Sequence, residues 1–154
     1  FAAIRQAHPG AQLIVVGDGP ERERLAAQHP QAIFTGPKTG TELAEHYASG
    51  DMFLFPSLTE TFGNVVLEAM ASGLGTLAFD TAAARELIVA GVNGRLSAGE
   101  DAEDFIAQAV DFASHPAQLQ ACGKAARETA LDNAWPRIMR RLEQQFRATA
   151  ADHN

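Results

Sequence analysis

Ser57–Gly73, SLTETFGNVVLEAMASG, follows the apolar run Asp51–Phe55 and decides how the chain is read. The apolar run has the length and flanks of a buried strand, and Pro56 ends it. Asn64–Ala71 has helical periodicity. The polar turn Leu58–Gly63 joins the two. A strand, a glycine-containing turn and a helix start are the parts with which an open α/β sheet binds a ligand. The helix start offers backbone N–H groups with no partner inside the helix, together with the positive end of the macrodipole. Both favour an anion such as a diphosphate. Gly63 lets the backbone approach that anion closely.

Two carboxylates bracket the turn. Glu60 precedes the helix, and Glu68 lies within it, about one turn past Asn64 and Val65. An ionised carboxylate offers only acceptor sites, so Glu68 suits a vicinal diol such as the ribose 2′ and 3′ hydroxyls. Glu60, on the loop, faces whatever lies beyond the phosphates. Carboxylate, amide-rich helix start and carboxylate match sugar, diphosphate and ribose in turn. Either glutamate alone reads more simply as a solvated surface acid. The apolar neighbours of Glu68 and the preceding strand make the combination more specific.

Outward from this stretch, short apolar runs alternate with helical patterns. Phe1–His8 reads as a helix, Leu13–Val16 as a strand and Glu21–His29 as a helix. Ala32–Thr35 is a strand. Thr41–Ser49 is a helix with Thr41 as its N-cap. After the central unit come strand Thr76–Phe79, helix Ala82–Val89, the turn Gly91–Gly94 and the short strand Arg95–Leu96. Helices Ala102–Ser114, Pro116–Leu131 and Pro136–Ala150 complete the chain, with Pro116 and Pro136 suited to first turns. This alternation implies an α/β fold, a doubly wound parallel sheet of Rossmann-like type with a helical C-terminal tail.

Composition narrows the partners. The chain has 154 residues, enough for one domain with a sizeable core. Its net charge of −7 argues against a nucleic-acid footprint. Local backbone N–H groups can still hold an anion on an acidic protein. Cys122 is the only cysteine, so no internal disulfide forms and a reducing compartment is the simpler reading. The five histidines are scattered without zinc-like spacing, and no D-x-D pair is present, so no metal site is expected. Gly17-Asp18-Gly19 lacks the third glycine of G-x-G-x-x-G, because position 22 is Arg. Gly17 can line the cleft, since it ends a strand. Gly19 reads as a turn glycine, His46 as a helix-surface residue and Trp135 as a core anchor.

Glu60-Thr61-Phe62-Gly63-Asn64-Val65-Val66-Leu67-Glu68 resembles the E-x7-E signature of the retaining glycosyltransferases of family four, which have the two-domain GT-B architecture. LIVVGDGP (Leu13–Pro20), Phe34-Thr35-Gly36, YASGDMFLFPS (Tyr47–Ser57), Glu86-Leu87-Ile88 and Gly91–Gly94 resemble further elements of the same nucleotide-binding domain. The resemblance implies retaining transfer of a hexose from a UDP- or GDP-sugar to an acceptor glycan or lipid, with no resident cofactor. It implies that the backbone of Phe62, Gly63, Asn64 and Val65 holds the diphosphate and that Glu68 holds the ribose. It implies that Glu60 is the catalytic-site carboxylate that orients the donor sugar hydroxyls, and it gives no reason to make Glu60 a covalent nucleophile.

The sequence also departs from the family. Gly75 stands where proline is usual, and Ala82-Ala83-Ala84 where a glycine pair is common. The family's Arg and Lys for the departing diphosphate would lie before Phe1. The expectation is therefore a single domain, 1–154, that lacks its first strand and the N-terminal acceptor domain of a longer protein. Leu13–Val16 and Met52–Phe55 would then face each other across a gap without pairing. The compartment expected is the cytoplasm, with peripheral attachment of the whole protein at the inner face of a membrane left open. Two other classes remain: a nucleotide-binding module without catalysis, and a sugar-nucleotide epimerase of related fold.

Overall fold

The computed structural model describes residues 1–58 and 64–151. Its elements run α1 (Ala2–Ala7), β1 (Ile14–Val16), α2 (Arg22–Gln28), β2 (Ile33–Gly36), α3 (Gly40–Ala48), β3 (Met52–Phe55) and α4 (Asn64–Ala71). There follow β4 (Gly75–Phe79), α5 (Ala82–Leu87), β5 (Arg95–Ser97), α6 (Ala102–Ser114), α7 (Pro116–Asp132) and α8 (Trp135–Ala151). Every described strand pairing is parallel. β1 pairs with β2, and β4 lies between β3 and β5. β1 and β3 do not pair with each other and belong to separate sheets.

β4 is the centre of the molecule, and all five of its residues are buried. Side chains alternate across a strand, so its two faces enter two different cores. Leu77 and Phe79 join Ile4, Phe105, Ala109, Phe112 and Cys122, with Met52 and Leu54 of β3 at the margin. Ala78 joins Val66, Met70, Ala84, Ile88, Ala126 and Ala130, with Phe55 at the margin. α1 and α6 thus cover one face, and α4 and α5 the other. α7 contributes Cys122 to the first core and Ala126 and Ala130 to the second. Helices on both faces are what a doubly wound sheet requires.

Glycines set the closest approach. A Cβ on Gly123 of α7 would collide with the carbonyl oxygen of Gly73, so α7 lies directly on the turn that enters β4. A Cβ on Gly94 would stand 2.8 Å from the Thr76 carbonyl oxygen, which keeps the turn before β5 tight against β4.

Most element boundaries shift by a residue or two from the sequence reading, and two boundaries and one burial assignment bear on the packing. α3 begins at Gly40 with Thr39, rather than Thr41, as its N-cap, and Thr39 makes no side-chain capping bond. α5 stops at Leu87 instead of Val89, because the buried Asn93 side chain takes over the local backbone. Its Oδ1 accepts from Val89 N–H at 2.7 Å, and its Nδ2 donates to the Leu87 carbonyl and to Thr129 Oγ1, each at 3.0 Å. Trp135 is no core anchor: it is 74% exposed at the start of α8, in line with Met139, Leu142 and Phe146, which are also exposed. α8 is amphipathic, and α7 is its main contact within the described chain.

Candidate active site

The site is built from strand ends and the helix that follows β3. Gly17 closes β1 with φ +131°, a conformation that favours glycine, and its N–H donates to the Gly36 carbonyl at 2.9 Å. The carboxyl ends of β1 and β2 therefore meet at two glycines with little side-chain bulk. β3 ends at Phe55, and α4 begins at Asn64. Glu60, Phe62 and Gly63, named above for the donor sugar and the diphosphate, lie outside the described residues. Asn64 is exposed and Val65 half-buried at the start of α4, whose first-turn N–H groups have no carbonyl partner within the helix. Val66, Ala69 and Met70 are buried and fix the other side of α4 against β4 and α7.

Glu68 stands four residues past Asn64, on the exposed side of α4. Its Oε2 accepts a hydrogen bond from the Tyr47 hydroxyl at 3.2 Å. Tyr47 sits at the end of α3, and the edge of its ring meets Phe53 with centroids 5.8 Å apart. Phe53 in turn stacks on Phe55, also at 5.8 Å. An aromatic row thus runs along one face of β3 from Tyr47 toward the strand's carboxyl end. Burial, then the negative charge of Glu68 and the bond to it, push the Tyr47 phenol up to about 12. The hydroxyl therefore remains a donor across the neutral range.

At the carboxyl end of β4, Arg85 closes the next turn. Its Nε donates to Asp80 Oδ1 at 2.8 Å and its Nη2 to the Asp80 carbonyl at 2.7 Å. Among the described residues, no group of three His, Cys, Asp or Glu side chains is placed to hold a metal ion.

The structure thus sets Asn64, Val65 and Glu68 on one helix, the next element after β3, with Gly17 at the end of a strand in the other sheet. Sequence reasoning missed Tyr47. It lies 21 residues from Glu68, so no local spacing joins the two. The available signal was a lone tyrosine heading YASGDMFLFPS, the run that leads into the site.

Comparison with known proteins fits this arrangement. Residues 1–115 match the family model described as glycosyl transferases group 1. The chain belongs to that family. A GDP-mannose-dependent alpha-mannosyltransferase of Mycobacterium tuberculosis is 40% identical over 137 residues, 89% of this chain and 36% of that protein. The sulfoquinovosyl transferase SQD2 of Arabidopsis thaliana is 38% identical over 132 residues, 82% of this chain and 26% of that one. Among solved structures, a sucrose-phosphate synthase from Thermosynechococcus elongatus superposes with a TM-score of 0.79 at 27% identity. That match covers 98% of this chain and 41% of the synthase. The α/β Rossmann-like fold of GT-B glycosyltransferases is therefore this chain's fold, and the chain spans about a third of the length of the curated relatives it matches. Among the described residues, no helix is long and apolar enough to cross a membrane.

Proposed function

We propose that this chain is the donor-binding domain of a retaining glycosyltransferase that takes a hexose from a nucleoside-diphosphate sugar. One observation carries the reading. α4 is the next element after β3, its first-turn amides have no carbonyl partner within the helix, and the Glu68 carboxylate stands out one turn further along. Amides aimed at a diphosphate supply charge stabilisation that is already in place when the leaving group develops its negative charge. In this reading the backbone of Phe62, Gly63, Asn64 and Val65 takes the diphosphate and Glu68 the ribose. Gly17 borders the cleft, and Glu60 orients the donor sugar.

The relatives' names set the order in which donors are tried, GDP-mannose first. The reading assigns no resident cofactor, since the nucleotide sugar is a substrate. The acceptor is a glycan or lipid bound by a further domain of the whole protein. A strand upstream of Phe1 fills the space between β1 and β3. The reaction is placed in the cytoplasm, at the inner face of a membrane where the acceptor is a lipid.

A coupled assay for released nucleoside diphosphate tests the proposal. Run on the whole protein with GDP-mannose and other GDP- and UDP-hexoses, it should show release that depends on added acceptor, with the anomeric configuration retained in the product. Acceptor-independent conversion of the sugar nucleotide points instead to an epimerase. Binding with no turnover under any donor and acceptor pair points to a nucleotide-binding module.

A further inference from the structure

We propose that Tyr47 is a positioning residue for the nucleotide's ribose: its hydroxyl holds the Glu68 carboxylate in the orientation that accepts the 2′ and 3′ hydroxyls. The inference rests on the reading that Glu68 takes the ribose.

A glutamate on an exposed helix face has several rotamers open to it, and fixing one at the moment of binding costs entropy. Tyr47 removes that cost beforehand. Its phenol reaches across from α3 and donates to Oε2 at 3.2 Å. The phenol is itself fixed, because the ring packs edge-on against Phe53 and Phe53 stacks on Phe55. No other side chain among the described residues hydrogen-bonds to that carboxylate. An ionised carboxylate has about four acceptor positions. One of them, on Oε2, serves Tyr47, which leaves Oε1 and a second position on Oε2 for a vicinal diol. Preorganisation of this kind raises affinity without adding a contact to the ligand. With its titration displaced upward to about 12, the phenol does not ionise in the range where an enzyme assay is run.

A purely structural role for the same bond, as a staple between α3 and α4, makes a different forecast. Loosening a staple weakens every ligand of the site alike. Loosening a ribose clamp weakens only ligands that carry the hydroxyls. The test is therefore a ratio: calorimetric affinity for GDP against 2′-deoxy-GDP, with the UDP pair run in parallel, on the whole protein. Wild type, Tyr47→Phe and Glu68→Gln are compared. The phenylalanine variant keeps the ring and its packing on Phe53 and deletes one oxygen, and thermal melting of the same samples confirms the fold.

Wild type should prefer the ribonucleotide roughly tenfold or more, the size of one hydrogen bond to a charged acceptor. Glu68→Gln should bring the ratio close to one. Tyr47→Phe should cut it at least about threefold while leaving affinity for the deoxynucleotide near wild type. A wild-type ratio in Tyr47→Phe, beside a collapsed ratio in Glu68→Gln, overturns the role of Tyr47 and leaves the ribose reading of Glu68 intact. A wild-type ratio in Glu68→Gln overturns the ribose reading, and the inference with it.

Discussion

The two sheets of this molecule are made from similar sequence and end in different states. IVV and IFTG form β1 and β2, whereas MFLF and GTLAF form β3 and β4. β4 is buried along its whole length, because β3 and β5 flank it and α6, α7, α4 and α5 cover its faces. In the smaller sheet, Ile14 and Ile33 pair across the strands and remain 41% and 44% exposed. They line an open cleft of about 310 Å³ shared with Glu45 and His46 of α3 and with Ser49, which caps that helix. An apolar β-branched run states a strand's preference for burial, but its neighbours decide whether burial is achieved. α3 is the element that spans both regions. It borders the cleft over β1 and β2, and it delivers Tyr47 to Phe53 and Glu68 on the other side.

The largest expected contrast is in stability. Phe112 is fully buried beneath the first core, and the Arg95 guanidinium lies 4.5 Å from its ring centre. Phe112→Ala should cost about 3–5 kcal/mol, as other large-to-small core changes do. Ile33→Ala removes a side chain already open to water and should cost under about 1 kcal/mol. Chemical denaturation of the two variants checks the difference. Similar losses would mean that the smaller sheet is buried as deeply as the larger one.

A subtler effect probes the seam between the regions. Tyr47 is the only tyrosine of the 154-residue chain, so absorbance near 295 nm follows its ionisation alone. The midpoint should lie near 12 in the folded chain and near the ordinary value of 10 after unfolding. The sign follows from linkage. The folded state holds this proton more tightly, so stability is undiminished below pH 10 and declines as pH rises from there through the folded midpoint. Tyr47→Phe should remove that part of the decline. A folded-state midpoint near 10 would place Tyr47 in water, away from Glu68.

Much of this was legible in the sequence, and the gaps have physical causes. α4 matches the expected Asn64–Ala71 residue for residue, and β3 ends at Phe55 as expected because Pro56 stops the strand, though β3 is half-buried rather than buried. The alternation of short strands and helices was enough for a parallel α/β fold. α5 ends two residues earlier than its pattern implies, since a buried side chain from the turn that follows, Asn93, takes over the backbone there. Trp135 departs from its expected burial for a related reason. Size and apolarity argue for burial, but α8 presents that face outward in the described chain. In the site, Asn64, Val65 and Glu68 follow from the pattern of one helix. The Tyr47–Glu68 bond needs α3 and α4 to pack side by side, and only the folded chain supplies that. Glu60, Phe62 and Gly63 fall outside the described residues.

The most direct test of the central claim, that the start of α4 holds a nucleoside diphosphate, is a crystal structure of the whole protein with GDP or UDP bound. The claim predicts diphosphate oxygens within hydrogen-bonding distance of the backbone N–H groups of Asn64 and Val65, with the ribose hydroxyls on the Glu68 carboxylate. Nucleotide bound elsewhere, with the Glu68 carboxylate still facing only Tyr47, would contradict it.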